Sequence, residues 1–242
     1  MNRKFAVFDL DGTLIRWQLY HAMADELLRL GILDASSYEA VKSARMKWKN
    51  RTHVNSFNDY EMTLVRLVDS AVKSMKVSDL EHACQNVIEE YKDQVYTYTR
   101  DLIKDLKTRD YLVFAISASP DQIVGLIAKH YGFDDFCGSI YGSKNGVFTG
   151  TKDLVMSDRK PEKLNELVKN HNANWKDSIA VGDSEGDIPM LSAVENPIAF
   201  NPTKQLFDRA KEQGWNVVIE RKNMVFRLEP RDGTYVLAET TS

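Results

Sequence analysis

Two aspartates stand two positions apart in residues 4–15, KFAVFDLDGTLI, directly behind the apolar run at 5–8. A continuous apolar run of that length reads as a strand buried on both faces of a parallel sheet. Asp9 and Asp11 then fall at its carboxyl end, where open α/β sheets bind their ligands. Strand alternation turns both carboxylates to one side, close enough to share a divalent cation or to act on one substrate. Gly12 permits a sharp turn, and Thr13 is expected to fix its geometry. The dipeptide alone fits an ordinary Asp-Gly turn leaving a strand. The longer pattern, D-x-D-G-T after a hydrophobic strand, is much rarer by chance and moves the reading towards chemistry.

Three more signals follow in chain order. Ser117 closes a second apolar run, YLVFAIS; its hydroxyl and the amides that follow, starting at Ala118, could receive a phosphate. The plainer alternative is that Ser117 and Ser119 cap a helix. Lys160 precedes Pro161, which suits a first helical position. An isolated lysine is usually a solvated charge, and Lys152 and Lys163 compete with it. Asp183 and Asp187 lie in GDSEGD, behind the short run SIAV, where a surface turn is the plain alternative.

These residues need a scaffold, and 242 residues with 43% hydrophobic content suffice for one sizeable domain or a domain with an insertion. A net charge of -3 offers no basic signature for nucleic acid. Two widely spaced cysteines, Cys84 and Cys137, suggest neither a disulfide framework nor a zinc site. With an opening strand that leaves no room for a signal peptide, and no apolar run of membrane-spanning length, a cytoplasmic protein without membrane partners is expected.

Residues 16–95 carry helical patterning only, among them 17–28, 36–50, 57–75 and a helix expected to open on a Ser78/Glu81 capping box. From residue 96 strands and helices alternate: a helix at 98–109, the YLVFAIS strand, and a helix with Ser119 as cap, Pro120 as first residue and Gln122 as capping partner, stopping at Gly132. A hairpin turns on Asn145-Gly146; a helix follows Pro161. Strands at 178–181, 197–200 and 215–219 come next, with a helix at 188–193. Such alternation predicts an α/β fold, a doubly wound parallel sheet. The expected division is a core of residues 1–15 and 96–220, a helical cap of 16–95 and a C-terminal hairpin of 221–242 turning at 230–233. That hairpin could extend the core sheet or pair with another subunit.

The four motifs, in this order over about residues 4–219, resemble those of the haloacid dehalogenase superfamily, whose members are mostly phosphatases. A helical insertion straight after the first motif, with NGVFTG and GDSEGDIPML, is similar to its phosphoserine-phosphatase-like branch. The resemblance implies magnesium held by the Asp9 carboxylate, the Asp11 backbone carbonyl and the Asp183 carboxylate, with Asp187 ligating through water or orienting Lys160. It implies Asp9 as nucleophile forming an aspartyl-phosphate, Asp11 as general acid and base, and Ser117 and Lys160 as phosphate ligands. The expected substrate is a small phosphomonoester. Where the branch has a cap glutamate for the amino group of phosphoserine this chain has Gln18; its cap arginine is matched only approximately, by Arg66; Ala118 and Ser119 replace a glycine pair. The resemblance therefore leaves the substrate open, with Gln18, His21 and Arg66 as candidate selecting residues. The same motifs serve a phosphotransferase, and a catalytically idle binding module is the alternative of another class. A basic stretch at 42–51 reads as a solvated helix face or as attraction for an anionic substrate.

Overall fold

A computed structural model describes residues 2–73, 75–154, 156 and 159–241. The apolar run behind Asp9 is strand β1, Lys4–Phe8, and it lies inside the sheet. It pairs in parallel on one side with β2, Leu112–Pro120, and on the other with β5, Asn174–Gly182. From β2 the sheet continues to β3, Asp135–Lys144, in parallel, and then to β4, Val147–Leu154, in an antiparallel hairpin around Asn145-Gly146. From β5 it continues in parallel to β6, Asn196–Phe200, and β7, Asn216–Arg221. Antiparallel β8, Met224–Arg231, and β9, Thr234–Thr241, complete nine strands. The chain thus winds outward from β1 in both directions, which leaves a crevice at the carboxyl ends of β1, β2 and β5.

Alternation along the strands builds two cores. Phe5, Val7, Phe114, Ile116 and Ala180 face one side of the sheet, while Ala6, Phe8, Val113, Ala115 and Val181 face the other. The first face is covered by α7, Lys160–Asn170, α8, Ile188–Leu191, and α9, Lys204–Gln213, through Leu164, Leu167, Met190 and Leu206. The second is covered by α5, Thr97–Thr108, and α6, Asp121–Tyr131. Burying each such side chain contributes about 1.5–3 kcal/mol.

The same second core runs on into the four helices that follow β1: α1, Leu19–Arg29, α2, Glu39–Lys49, α3, Ser56–Val72, and α4, Val77–Tyr91. No strand interrupts them among the described residues. In α3 the buried positions recur every fourth residue, at Tyr60, Leu64, Val68 and Val72, the stripe that a helix packed on one side requires. Helix α2 packs on α3, α1 on α4, and α4 on α6 of the core.

Several expected boundaries move, each for a hydrogen-bonding reason. Ser78 does not cap α4: the helix starts at Val77, whose amide donates to the Gly146 carbonyl at 2.9 Å, so the turn of the β3–β4 hairpin takes a donor that a side chain would otherwise satisfy. Ser119 does not cap α6 either. Strand β2 runs through Pro120, and the Ser119 hydroxyl donates to Asp11 instead. Gly132 does end α6, in the left-handed conformation at φ +66°. The helix expected at 188–193 is a 3-10 turn at Glu185–Asp187 followed by the short α8. Helix α9 escaped the sequence reading, although the Thr203 hydroxyl accepts from the Leu206 amide as its N-cap. The C-terminal hairpin extends the core sheet.

Candidate active site

At the end of β1 the chain stays in register with β5 for one more residue, the Asp9 amide donating to the Val181 carbonyl at 3.0 Å. It then turns tightly: the amides of Thr13, Leu14 and Ile15 all donate to the Leu10 carbonyl, and that of Gly12 to Ile15. Gly12 adopts φ +81°, and a Cβ there would overlap the Asp183 carboxylate. Only glycine lets the β1 turn and the β5 loop approach so closely. Thr13 does not fix this turn through its side chain. Its hydroxyl is buried with no partner among the described residues, and its backbone carbonyl accepts from the Thr99 hydroxyl at 2.9 Å.

Asp9, Asp11, Ser117, Lys160, Asp183 and Asp187, drawn from four stretches of sequence, meet here. Lys160, at the first turn of α7 and 4% exposed, donates to Asp9 Oδ1 at 2.7 Å and to Asp187 Oδ1 at 2.6 Å. The other oxygen of Asp187 receives the amides of Asp183 and Ser184, each at 3.1 Å, and the Ser184 hydroxyl at 3.2 Å. Asp187 therefore locks the β5 loop and holds the lysine at once. Asp11 is held from the β2 side: the hydroxyls of Ser117 and Ser119 donate to Oδ2 at 2.7 and 2.9 Å, and the Leu19 amide at the start of α1 donates to Oδ1. Ala118, between the two serines, lines the cavity.

The electrostatics are those of an acidic cluster drawn out of water. Four carboxylates face one ammonium. Burial pushes the Asp9 pKa up to about 7 against the opposing pull of Lys160, and burial likewise raises Asp11 and, strongly, Asp183, which also feels Asp9 and Asp187. Burial works against the Lys160 charge, yet Asp187 and Asp9 together hold its pKa above the ordinary value. Ligand oxygens of Asp9, Asp183 and Asp187 lie within 4.8 Å of one another. An all-oxygen set, four carboxylates against one ammonium, fits a hard divalent cation such as magnesium.

A cavity of about 570 Å³ opens over the cluster. Gln18, at the start of α1, lines it as expected. His21 and Arg66 do not. His21 is 1% exposed, packed at 4.7 Å from the Tyr60 ring and within aromatic contact of Trp17 and Phe57; Arg66 is exposed on α3. Of the competing lysines, Lys163 pairs with Glu166 and Lys152 sits in the cavity wall paired with Asp69. In the basic stretch, Lys42 pairs with Glu39 and Arg45 with Asp25. Sequence reasoning missed Ser119 and Ser184 as partners of the carboxylates. It also missed the face of α3 that roofs the cavity, Phe57, Asn58, Glu61, Met62 and Val65. The helical spacing of these five was a readable signal; that the face was polar enough to leave the core was not.

A model of the haloacid dehalogenase-like hydrolase family matches residues 6–192. The histidinol-phosphatase of Neisseria meningitidis is 25% identical over 224 residues, covering 89% of this chain and 98% of that protein. The phosphoserine phosphatase of Methanocaldococcus jannaschii is 25% identical over 225 residues, covering 92% of this chain and 95% of that protein. Three mycobacterial relatives match at 30–32% over 127 residues, and the matched stretch is 41–42% of their length. A solved phosphoserine phosphatase, a phospho-aspartyl intermediate analogue, has a TM-score of 0.62 at 24% identity, over 92% of this chain and 95% of that one; the likeness is one of fold.

Proposed function

The chain belongs to the haloacid dehalogenase-like hydrolases, in their phosphoserine-phosphatase-like branch, and from that membership we propose that it is a magnesium-dependent phosphatase of small phosphomonoesters, working through an aspartyl-phosphate on Asp9. The observation that carries this reading is the hold on Asp9. Lys160 fixes one of its oxygens at 2.7 Å, the other has no protein partner among the described residues, and Asp9 lines the cavity. A carboxylate oriented in this way can attack a phosphorus atom, and a general base would not need the lysine.

In this mechanism the free Asp9 oxygen forms a bond to phosphorus as the bond to the leaving alcohol oxygen breaks. Asp11 passes its proton to that oxygen, then takes a proton from the water that attacks the phosphoryl group, which releases inorganic phosphate and restores Asp9. Burial raises the Asp11 pKa, as the double role requires, and the serine hydroxyls on Oδ2 steer the carboxyl between its two duties. Lys160 and the Ala118 amide would hold the phosphoryl oxygens, joined by the Ser117 hydroxyl once it turns from Asp11 to the substrate. A magnesium ion would be held by Asp9, Asp183 and the Asp11 carbonyl, with Asp187 behind Lys160, and would supply charge neutralisation for the transferred group. The helices α1–α4 act as a cap over residues 16–95 that shields the reaction from bulk water. Two relatives matched over at least 95% of their own length carry the names histidinol-phosphatase and phosphoserine phosphatase, which supports a small phosphomonoester as the substrate.

The test is phosphate release from a panel of phosphomonoesters with and without magnesium, for the wild type and Asp9→Asn. Magnesium-dependent turnover that falls at least ~1000-fold in the variant is the expected result. Turnover that survives Asp9→Asn would show that another group is the nucleophile.

A further inference from the structure

The cavity holds a second polar feature away from the phosphoryl end. Glu61, on the α3 face that roofs it, has neither a hydrogen bond nor an ion pair among the described residues. The same wall also carries Tyr20, Phe57, Met62, Val65 and Tyr141. Burial raises the Glu61 pKa, and the like charges of Asp11 and Glu185 push in the same direction. A carboxylate kept in such a wall without a cation costs free energy that a glutamine or a leucine would avoid.

The cavity's cations are already engaged. Lys160 is bound by Asp9 and Asp187, while Lys152 is paired with Asp69 at 2.9 Å and lies 5.7 Å from the centre of the Tyr141 ring. Among the described lining residues neither lysine is without an ion pair, whereas Glu61 has no partner and can receive a cation. The aromatic rings of the wall would also favour a positive or flat group against their faces.

We propose that Glu61 binds an ammonium group on the leaving alcohol, so that the substrate is a phosphomonoester carrying a cationic amine on an apolar or aromatic body and no carboxylate. The proposal rests on the phosphatase reading. It assigns the amine to a carboxylate on α3 rather than to the Gln18 position at the start of α1, and it makes Glu61 a specificity residue that takes no part in the bond-making steps. An amino-acid phosphate would meet Glu61 favourably through its amine but would bring a carboxylate that no free cation awaits.

The experiment compares three aryl esters that share one reacting centre: tyramine phosphate, the neutral 4-ethylphenyl phosphate, and the phosphate of 3-(4-hydroxyphenyl)propionate. In the wild type kcat/KM for the amine should exceed that for the neutral ester at least tenfold, chiefly through KM, and the carboxylate ester should be the poorest. In Glu61→Gln the amine-to-neutral ratio should fall to within about twofold of one, and in Glu61→Lys the carboxylate ester should overtake the amine. Release from the neutral ester with no amine preference in the wild type, or a ratio unchanged in Glu61→Gln, overturns this proposal alone. No release from any of the three, with magnesium present and other phosphomonoesters hydrolysed, overturns this proposal alone; the phosphatase reading falls only if the whole panel fails.

Discussion

His21 shows how far the environment of one side chain can depart from its sequence neighbourhood. Three positions after Gln18, which lines the cavity, it is buried among Trp17, Phe57 and Tyr60, with both ring nitrogens unpartnered among the described residues. Burial pulls its pKa down to about 4, so the folded protein holds the imidazole neutral. In the unfolded chain it titrates near its ordinary value of about 6.5. Between those values the unfolded state binds more protons than the native one, and stability must fall as pH falls through that window. From pH 7 to pH 5 the loss assigned to His21 is about 2 kcal/mol. Urea unfolding at both pH values should show it, with His21→Phe reducing the difference; an equal pH dependence in the variant would remove the assignment. Sequence reading could place His21 on α1 but not say which way it faced, because the aromatic box is assembled from Trp17 ahead of α1 and from Phe57 and Tyr60 on α3.

At the level of elements, the C-terminal hairpin is the clearest division of labour. Strands β8 and β9 add to β7 and cover part of the sheet edge, where the Tyr235 hydroxyl donates to the Trp215 carbonyl at 2.8 Å and its ring packs on Phe207. Among the described residues none beyond Arg221 lines the cavity. On β7 itself, Glu220 accepts the amides of Thr97 and Tyr98 at 3.1 and 2.9 Å and so caps α5 from across the fold. A chain ended after Arg221 should keep its turnover per folded molecule within about twofold but lose about 3 kcal/mol or more of stability with Val225, Leu228 and Tyr235 removed. Its newly exposed β7 edge should also raise aggregation. Loss of turnover in a fully folded truncated chain would instead give the hairpin a part in catalysis. The sequence turn at 230–233 was enough to see the hairpin, but its partner was not visible, since a strand edge accepts any backbone that reaches it.

For the molecule as a whole, the carboxylate cluster joins the ends of β1 and β5 to the first turn of α7, and thus both sides of the sheet to one charge problem. A cation bound there stabilises the folded chain alone, because the unfolded chain scatters Asp9 and Asp183. At magnesium a hundredfold above its dissociation constant the gain is about 2.7 kcal/mol. Thermal unfolding in magnesium against a chelator should show a higher Tm with the ion, and in Asp183→Asn the shift should vanish. An equal shift in the variant would place the ion elsewhere. No helix among the described residues is long and apolar enough to cross a membrane.

What the chain alone determined was local: the buried run behind Asp9, the order of the four motifs, the helical texture after the first of them, and the strand and helix alternation that demands a wound sheet. Backbone periodicity carries that information, because strands and helices repeat their buried positions at fixed intervals. The tertiary structure decided which partners each polar group finds. It gave Ser119 to Asp11 instead of to a helix cap, turned His21 and Arg66 away from the cavity, and set Glu61 unpaired in the cavity wall. Hydrogen bonds and charges act over a few ångströms between residues tens of positions apart, so their pairing exists only once the β1, β2 and β5 ends and α3 have been brought together.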